Sequence, residues 1–251
     1  MTTSGSHLNV STAIREVALA GGLFLAYKLG RVIARGHEQV AVGNARIVHR
    51  LESMVWLPSE ASIQAAVHSE PLFRAANIYY TYVHFPLIAV FLLWGFLRRP
   101  LAQYRWARNL WMLQTGAALV LHTAFPLAPP RMFPQWGFVD TMTRYGPSPY
   151  DGTSGVLANQ FAAMPSLHVG WAVLIAYVVI RTGPRWLAVL AATHAALTLA
   201  IVVVTANHWW IDAAAAIGLL AAADGFLRLI GKGLKEPDPV ADDAVHGTVT
   251  A

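Results

Sequence analysis

The amino-acid sequence predicts an all-α fold, a polytopic membrane helical bundle with about six transmembrane helices. The first observation is composition: of 251 residues, 56% are hydrophobic and 12% are charged, and the mean hydropathy is +0.46. These values lie far outside the usual balance of a soluble domain. The second observation is a set of apolar stretches, each close to the roughly 20 residues that a spanning helix needs. They are 77–97, 107–126, 165–181, 186–206 and 209–230.

A sixth stretch, 14–34, is interrupted by Lys28 and Arg31. Basic side chains near the end of a span can snorkel to the membrane surface, and a helix of this kind can also lie in the interface. The sequence leaves both arrangements open for this stretch.

The chain is predicted to have three parts. Residues 1–76 comprise the weak span and an interfacial amphipathic helix, 77–235 form the main bundle with an outer loop at 127–160 rich in Pro and Gly, and 236–251 form a disordered tail. The amphipathic helix is predicted because apolar residues recur at near-helical spacing in a segment too polar to span. These residues are Val40, Ile47, Val48, Leu51, Val55 and Trp56.

Basic residues indicate the orientation in the membrane. Under a six-span arrangement, three short connections or ends share one side, and the positive-inside rule makes that side cytoplasmic. Their cations are Arg98, Arg99, Arg105 and Arg108, then Arg181 and Arg185, then Arg228, Lys232 and Lys235. The loop at 127–160 is then outside, and we expect an integral protein of the plasma (inner) membrane.

The same charge pattern and the absence of cysteine exclude several classes of function. The net charge is +5, but the cations lie at the ends of apolar stretches rather than on one basic face, so the expected partner is the bilayer and not a nucleic acid. With no cysteine, the chain has neither disulfides nor a thiolate metal site. Oligomeric state is not predicted.

Three polar segments are expected to meet on the outer side. They are PLAPPRMF after the third span, AAMPSLHVGWA at the start of the fourth, and TANHWWIDAA between the fifth and sixth. Each places ionisable or hydroxyl side chains at a helix end. First-turn amides and the helix dipole make such an end suitable for an anion, so the segments indicate a phosphate site.

The second segment supplies a donor and an acid. Pro165 suits the first turn of a helix, because its missing N–H would be unpaired there. Ser166 can donate a hydrogen bond to a phosphoryl oxygen, and a protonated His168 can give a proton to a departing alkoxide.

The other two segments supply a nucleophile and a cation. His208 and Asp212 are spaced i and i+4, which puts both on one helical face. Asp212 can hold one ring N–H of His208 and leave the other nitrogen free to attack phosphorus. The guanidinium of Arg131 can fork onto phosphate oxygens.

These motifs resemble a known family. PSLH and His-x-x-x-Asp resemble the second and third signature motifs of the type 2 phosphatidic acid phosphatase superfamily, and together with APPR they are similar to its inositol phosphotransferase-like branch, which includes inositol phosphorylceramide synthase. The resemblance covers about residues 75–230. It implies a six-helix membrane fold, a phosphohistidine intermediate, a phospholipid or lipid-phosphate substrate, and no required metal or cofactor.

The resemblance also implies roles for individual residues. Ser166 would bind phosphate, His168 would be the general acid, His208 the nucleophile and Asp212 its orienting carboxylate. Arg131 is predicted to be the main phosphate-binding cation, because the basic positions of the family's motifs are not basic here. Those positions hold Leu92, Ala124 and Val202, and Leu167 replaces the usual glycine before His168. A second cation is expected from Arg74, Arg144 or the Arg31 and Arg35 pair.

Other residues in the spans receive structural interpretations. His84, His122 and His194 are interpreted as partners in interhelical hydrogen bonds. Trp209 and Trp210 are interpreted as residues of the interface belt.

Several functional hypotheses remain open. A lipid phosphatase, in which water attacks the phosphohistidine, and a phosphotransferase, in which an inositol-type or other alcohol replaces water, share the first half of the reaction. A non-enzymatic transporter, channel or scaffold would keep the histidines as hydrogen-bonding residues. A divalent metal ion held by His168, His208 and Asp212 is the alternative to the predicted metal-free site.

Overall fold

The computed structural model describes residues 10–33, 38–148 and 160–233, and this part of the chain is built from helices, turns and loops. The predicted all-α class is confirmed for these residues. The α-helices are α1 (Val10–Ile33), α2 (Glu38–Met54), α3 (Glu60–Ala65), α4 (Glu70–Tyr82), α5 (His84–Arg98), α6 (Leu101–Ala124), α7 (Thr141–Tyr145), α8 (Leu167–Thr182), α9 (Arg185–Val204) and α10 (Trp210–Leu229). Two 3-10 turns, Pro130–Met132 and Pro134–Trp136, lie between α6 and α7.

Two of the described helices, α9 and α10, are long and apolar enough to cross a membrane. The pair α4 and α5 forms a third candidate span that is bent by 43°. Helix α8 is apolar but has only 16 residues, and the 24-residue α6 carries Arg105 and Arg108 near its start. Length and composition thus support two or three spans, and the count of six stays a prediction.

The predicted apolar stretch 77–97 is interrupted by the bend between α4 and α5. Helix α4 ends at Tyr82 and α5 begins at His84, with Val83 between them. Pro86 explains the break, because proline has no N–H to donate and its ring clashes with the carbonyl four residues earlier, here that of Tyr82.

The outer faces of the bundle carry large apolar side chains. On α9, Trp186, Val189 and Leu190 are each more than half exposed, and on α5 so are Val90 and Leu93. Soluble monomers rarely expose contiguous apolar surface of this kind. The exposed faces are those that a surrounding bilayer would cover.

Helix α2 has two different faces. Its small residues Ala41, Ala45 and Val48 are buried, and the carbonyl of Ala41 accepts a hydrogen bond from the backbone N–H of Ala128 at 3.2 Å. The larger apolar residues of this segment are exposed: Val40, Ile47, Leu51, Val55 and Trp56. The helix is therefore present with an exposed apolar face, and its position at the membrane interface stays a prediction.

Segments from distant parts of the sequence meet at one end of the bundle. His122, near the end of α6, has its Nε2 3.0 Å from the carbonyl oxygen of Pro165, just before α8. The backbone N–H of Ser166 donates to the carbonyl of Asp212 in α10 at 3.0 Å. Part of the predicted outer loop, 149–159, and the predicted tail, 236–251, lie outside the described residues.

Candidate active site

The turn between α9 and α10 carries His208. Ala206 has a φ of 54°, in the left-handed region that is costly for a residue with a side chain. The turn is held by hydrogen bonds from Asn207 Nδ2 to Thr205 Oγ1 at 2.8 Å and from the backbone N–H of His208 to the carbonyl of Val202 at 3.3 Å. A tightly bonded turn thus fixes the backbone that presents the imidazole.

The two ring nitrogens of His208 have different surroundings. Nδ1 lies 2.9 Å from the carbonyl oxygen of Ala163 and 3.3 Å from Oδ2 of Asp212. A carbonyl can only accept, so Nδ1 carries the hydrogen. Nε2 is buried and has no hydrogen-bond partner among the described residues. His208 therefore presents a lone pair on Nε2.

His208 and Asp212 meet as predicted, but not on one helix. Helix α10 begins at Trp210, so His208 lies in the turn before it. Asp212 reaches back from the first turn, and its Oδ2 also accepts the backbone N–H of Trp209 at 2.9 Å. The carboxylate therefore holds both the imidazole and the start of the helix, which the spacing alone does not reveal.

The segment MPSLH places Ser166 at the N-cap of α8. Its buried Oγ accepts the backbone N–H of Val169 at 3.3 Å, and the helix begins at Leu167. Pro165 thus precedes the N-cap, and the prediction that it occupies the first helical turn is wrong. In the N-cap hydrogen bond, the oxygen of Ser166 is the acceptor. Its hydroxyl hydrogen therefore remains available to donate to a phosphoryl oxygen.

His168 lies between two other rings. Its ring stacks on Tyr80 with centroids 3.9 Å apart and on His84 with centroids 4.2 Å apart. It is also hydrogen-bonded to the backbone of Tyr80. The centroid of His168 is 5.9 Å from that of His208, which brings both rings within reach of one phosphoryl group.

A match to a protein-family model accords with this geometry. The model is described as the PAP2 superfamily, and it matches residues 46–225. The chain belongs to the PAP2 superfamily. Searches of the curated proteins and of the solved structures found no significant match. The match begins within α2, whereas the resemblance based on the motifs begins at about residue 75. It includes all three segments that meet at the site.

In this PAP2 chain, Arg131 lies beside the turn that carries His208, and both its backbone and its side chain make hydrogen bonds. Its backbone N–H donates to the carbonyl of Ala206 at 2.8 Å, and its Nε donates to Oδ1 of Asn207 at 3.1 Å. Its Nη1 lies 3.3 Å from Oδ2 of Asp140, and both Nη atoms lie 3.4 Å from Oε1 of Gln160. The structure brings the predicted cation to the site, with its charge partly balanced by a carboxylate.

Among the described residues, neither Arg74 nor Arg144, two candidates for a second cation, makes a hydrogen bond or ion pair to His168 or His208. Arg74 is exposed, and Arg144 is exposed and lies over the ring of Tyr145 at 5.4 Å. Arg35 and the side chain of Arg31 lie outside the described residues. No three His, Asp or Glu side chains of the described part of the chain form a group that could hold one metal ion.

Two glutamates were missed by sequence reasoning. Three carboxylates each accept a backbone N–H at the start of α10: Asp212 from Trp209 at 2.9 Å, Glu60 from Trp210 at 3.2 Å, and Glu52 from Ile211 at 2.8 Å. Burial raises the pKa of Glu52 to about 9, and its hydrogen bond to Glu60 adds to the rise. The available signal was spacing: Glu52 continues the buried row of α2 formed by Ala45 and Val48.

The hydrogen-bonding predictions for the other three histidines have different outcomes. The predicted interhelical hydrogen bond is confirmed for His194 in α9, which bonds to the hydroxyl of Tyr79 in α4. His122 in α6 bonds instead to the carbonyl of Pro165, which precedes α8 and is not part of a helix. His84 instead stacks on His168 and has no partner for its buried Nε2.

The interface-belt interpretation of Trp209 is wrong. This residue is fully buried, and its Nε1 donates to the carbonyl of Ala128 at 2.9 Å. Trp210 is partly exposed, and its Nε1 donates to the carbonyl of Pro58 at 2.8 Å. Both indoles therefore fasten the start of α10 to other segments.

Proposed function

We propose that this PAP2 protein is an integral membrane phosphatase or phosphotransferase that acts on a phosphorylated lipid through a phosphohistidine on His208. The observation that carries the proposal is the ring of His208: Nδ1 is held by Ala163 and Asp212, while the buried Nε2 has no partner among the described residues. An imidazole fixed in this tautomer is a nucleophile.

In the proposed first step, Nε2 of His208 attacks phosphorus and the bond from phosphorus to the lipid or headgroup oxygen breaks. A protonated His168 gives its proton to the departing oxygen. Asp212 balances the positive charge that develops on the His208 ring, and Ser166 and Arg131 bind the phosphoryl oxygens.

In the second step, an oxygen nucleophile attacks the phosphohistidine and the N–P bond breaks. His168, now neutral, takes the proton of that nucleophile, which returns both histidines to their starting states. Water as the nucleophile gives a phosphatase, and an alcohol gives a phosphotransferase. The family resemblance of the motifs favours an inositol-type acceptor for the second outcome.

A lipid substrate is supported by an apolar cavity beside the histidines. Its volume is about 260 Å³, and its lining includes Phe85, Leu167 and Trp171. Leu167 is adjacent to His168 in the chain, and Trp171 stacks on His84 with centroids 4.7 Å apart. An acyl chain in this cavity would bring its phosphate towards the histidine rings.

The test is formation of the covalent intermediate. Purified full-length chain is mixed with phospholipids carrying radiolabelled phosphate and quenched, and acid-labile, alkali-stable label on the protein is counted. His208→Ala should abolish the label and lower turnover on the order of 10³-fold or more, whereas His68→Ala, a change at an exposed histidine, should have no effect.

Product analysis distinguishes the two reactions. Transfer of labelled headgroup to added inositol or another alcohol identifies a phosphotransferase, and release of inorganic phosphate alone identifies a phosphatase. Either activity surviving unchanged in His208→Ala would refute catalysis through His208, and absence of both activities in the parent chain would favour a transporter or scaffold.

A further inference from the structure

A second cavity lies at the other end of the bundle from the histidines. Its volume is about 660 Å³, and it is formed where the start of α1, the start of α6 and the residues after α10 meet. Helix α6 connects the two ends: Arg108 lines this cavity, and His122 lies at the other end of the same helix, about 21 Å further along its axis. The cavity is therefore separate from the proposed active site.

The lining of this cavity is strongly basic. Arg15, Arg105, Arg108 and Lys232 contribute to it, and none of the described residues that line it is acidic. Arg108 is paired with Glu16, a neighbour outside the lining, at 2.5 Å. One positive charge is thus balanced and the other three are not.

The unbalanced cations are available to a ligand. Within the described part of the chain, the side chains of Arg15, Arg105 and Lys232 make no hydrogen bond or ion pair. Asn109 adds a further donor, because its Oδ1 accepts from Arg108 at 2.7 Å and leaves its amide hydrogens free. Three cations and an amide around one cavity match the acceptors of a phosphate group.

The surroundings of the cavity favour a lipid as the source of that phosphate. Val10, Ile14 and Val17, which flank Arg15 on α1, are 76%, 63% and 73% exposed. Apolar surface at this position would contact acyl chains while the headgroup lies in the cavity. Basic pockets between helices on the cytoplasmic side are typical sites for anionic headgroups.

We propose that this cavity binds a phosphate-bearing anion, the headgroup of an anionic phospholipid, in the leaflet opposite to the histidine site. The bound headgroup would link α1 to α6 and to the end of α10 through its oxygens. This site does not depend on the proposed reaction.

Calorimetric titration of the purified full-length chain in a non-ionic detergent tests the proposal. The parent and every variant in this comparison carry His208→Ala to prevent turnover. The probes are dioctanoyl phosphatidylglycerol, dioctanoyl phosphatidylcholine and inorganic phosphate. Arg105→Gln with Lys232→Gln should weaken phosphatidylglycerol binding at least fivefold, and Arg98→Gln, which removes an exposed cation outside this cavity, should leave it unchanged.

The outcomes separate the sources of the anion. Binding of phosphatidylglycerol but not phosphatidylcholine supports the proposal, and inorganic phosphate binding equally well assigns the same cavity to a free anion. Equal phosphatidylglycerol affinity in the double variant and its parent overturns it. The single variant Arg105→Gln gives the same test if the double variant fails to fold.

Four acidic residues near the end of the chain provide a competing occupant. They are Glu236, Asp238, Asp242 and Asp243. If the parent chain binds no phosphatidylglycerol and binding emerges only when these four are changed to Asn or Gln, this segment is the occupant and the lipid proposal is wrong.

Discussion

His84 is buried next to the two histidines of the site, and its side chain has an unsatisfied polar atom. Its Nε2 has no hydrogen-bond partner among the described residues, while its ring is stacked between His168 and Trp171. A buried polar atom without a partner destabilises a fold. Such an atom is retained at a site where a substrate can satisfy it, so His84 is expected to contribute to activity rather than to stability.

His84→Phe separates these contributions, because phenylalanine keeps a stacking ring and removes both nitrogens. We expect the variant to unfold at the same or a slightly higher temperature and to lose about tenfold or more in turnover. Thermal unfolding followed by tryptophan fluorescence and release of phosphate from lipid measure the two effects. A fully active His84→Phe would show that this ring serves packing alone.

Glu52 makes stability depend on pH. Its pKa is about 9 in the folded chain against an ordinary value of 4.5, so folding retains a proton that the unfolded chain releases between these values. The raised pKa means that this stabilisation is complete below about pH 4.5 and is lost as the pH rises towards 9. At alkaline pH the buried carboxylate lies against the carboxylates of Glu60 and Asp212.

Glu52→Gln should reduce this loss, since an amide can accept from Ile211 and donate to Glu60 at every pH. The expected difference is a thermal midpoint roughly 2–4 °C above the parent near pH 8.5, and a smaller difference near pH 5. Glu70→Gln, at an exposed glutamate of α4, is the matched control. If both variants follow the parent at every pH, Glu52 is not the titrating group.

The residues of the site differ in how far sequence could predict them. His168, His208, Asp212 and Ser166 lie in short motifs, and the structure brings them together. Glu52 bonds to a residue 159 positions away. Local spacing carries no information on such a contact, because it depends on how α2 packs against the start of α10.

At the scale of elements, the turn between α9 and α10 depends on a buried tryptophan. Trp209 packs its ring against Phe138 and donates from Nε1 to the carbonyl of Ala128 at 2.9 Å. Trp209→Phe keeps an aromatic ring but leaves that carbonyl without its donor, which costs about 1–3 kcal/mol. Because His208 is the preceding residue, the same change should misplace the nucleophile.

Trp209→Phe should therefore lower both the thermal midpoint and turnover, the latter on the order of tenfold. Trp186→Phe is the matched control, since Trp186 is 65% exposed on the outer face of α9. Circular dichroism on heating and phosphate release give the two readings. Equal effects of the two substitutions would mean that the buried indole does not fix the turn.

Element boundaries show where local pattern fails. Hydropathy places the apolar stretches correctly but not their ends or breaks, as at Val83, where Pro86 interrupts the helix. The i, i+4 spacing of His208 and Asp212 likewise predicts one helical face for both, whereas the helix begins only at Trp210 and leaves His208 in the turn before it. The turn is stabilised by the hydrogen bond from Asn207 to Thr205 and has a positive φ at Ala206, neither of which hydropathy reports.

For the whole molecule, the two ends of the bundle differ in charge. At one end, Arg181 and Arg228 both donate to the hydroxyl of Tyr177, which itself donates to Asp224. Arg99 donates to the carbonyl of Thr182 at the same end. The histidines lie at the opposite end. If the positive-inside rule sets the orientation, the basic end faces the cytoplasm and the proposed active site faces outward.

This orientation can be tested directly because the chain has no native cysteine. Thr143→Cys lies in α7 at the histidine end, Pro184→Cys lies between α8 and α9 at the basic end, and both positions are exposed. A membrane-impermeant maleimide added to intact cells should label only Thr143→Cys, and both variants should be labelled after permeabilisation. The parent chain controls for background, and the reverse pattern would place the histidines on the cytoplasmic side.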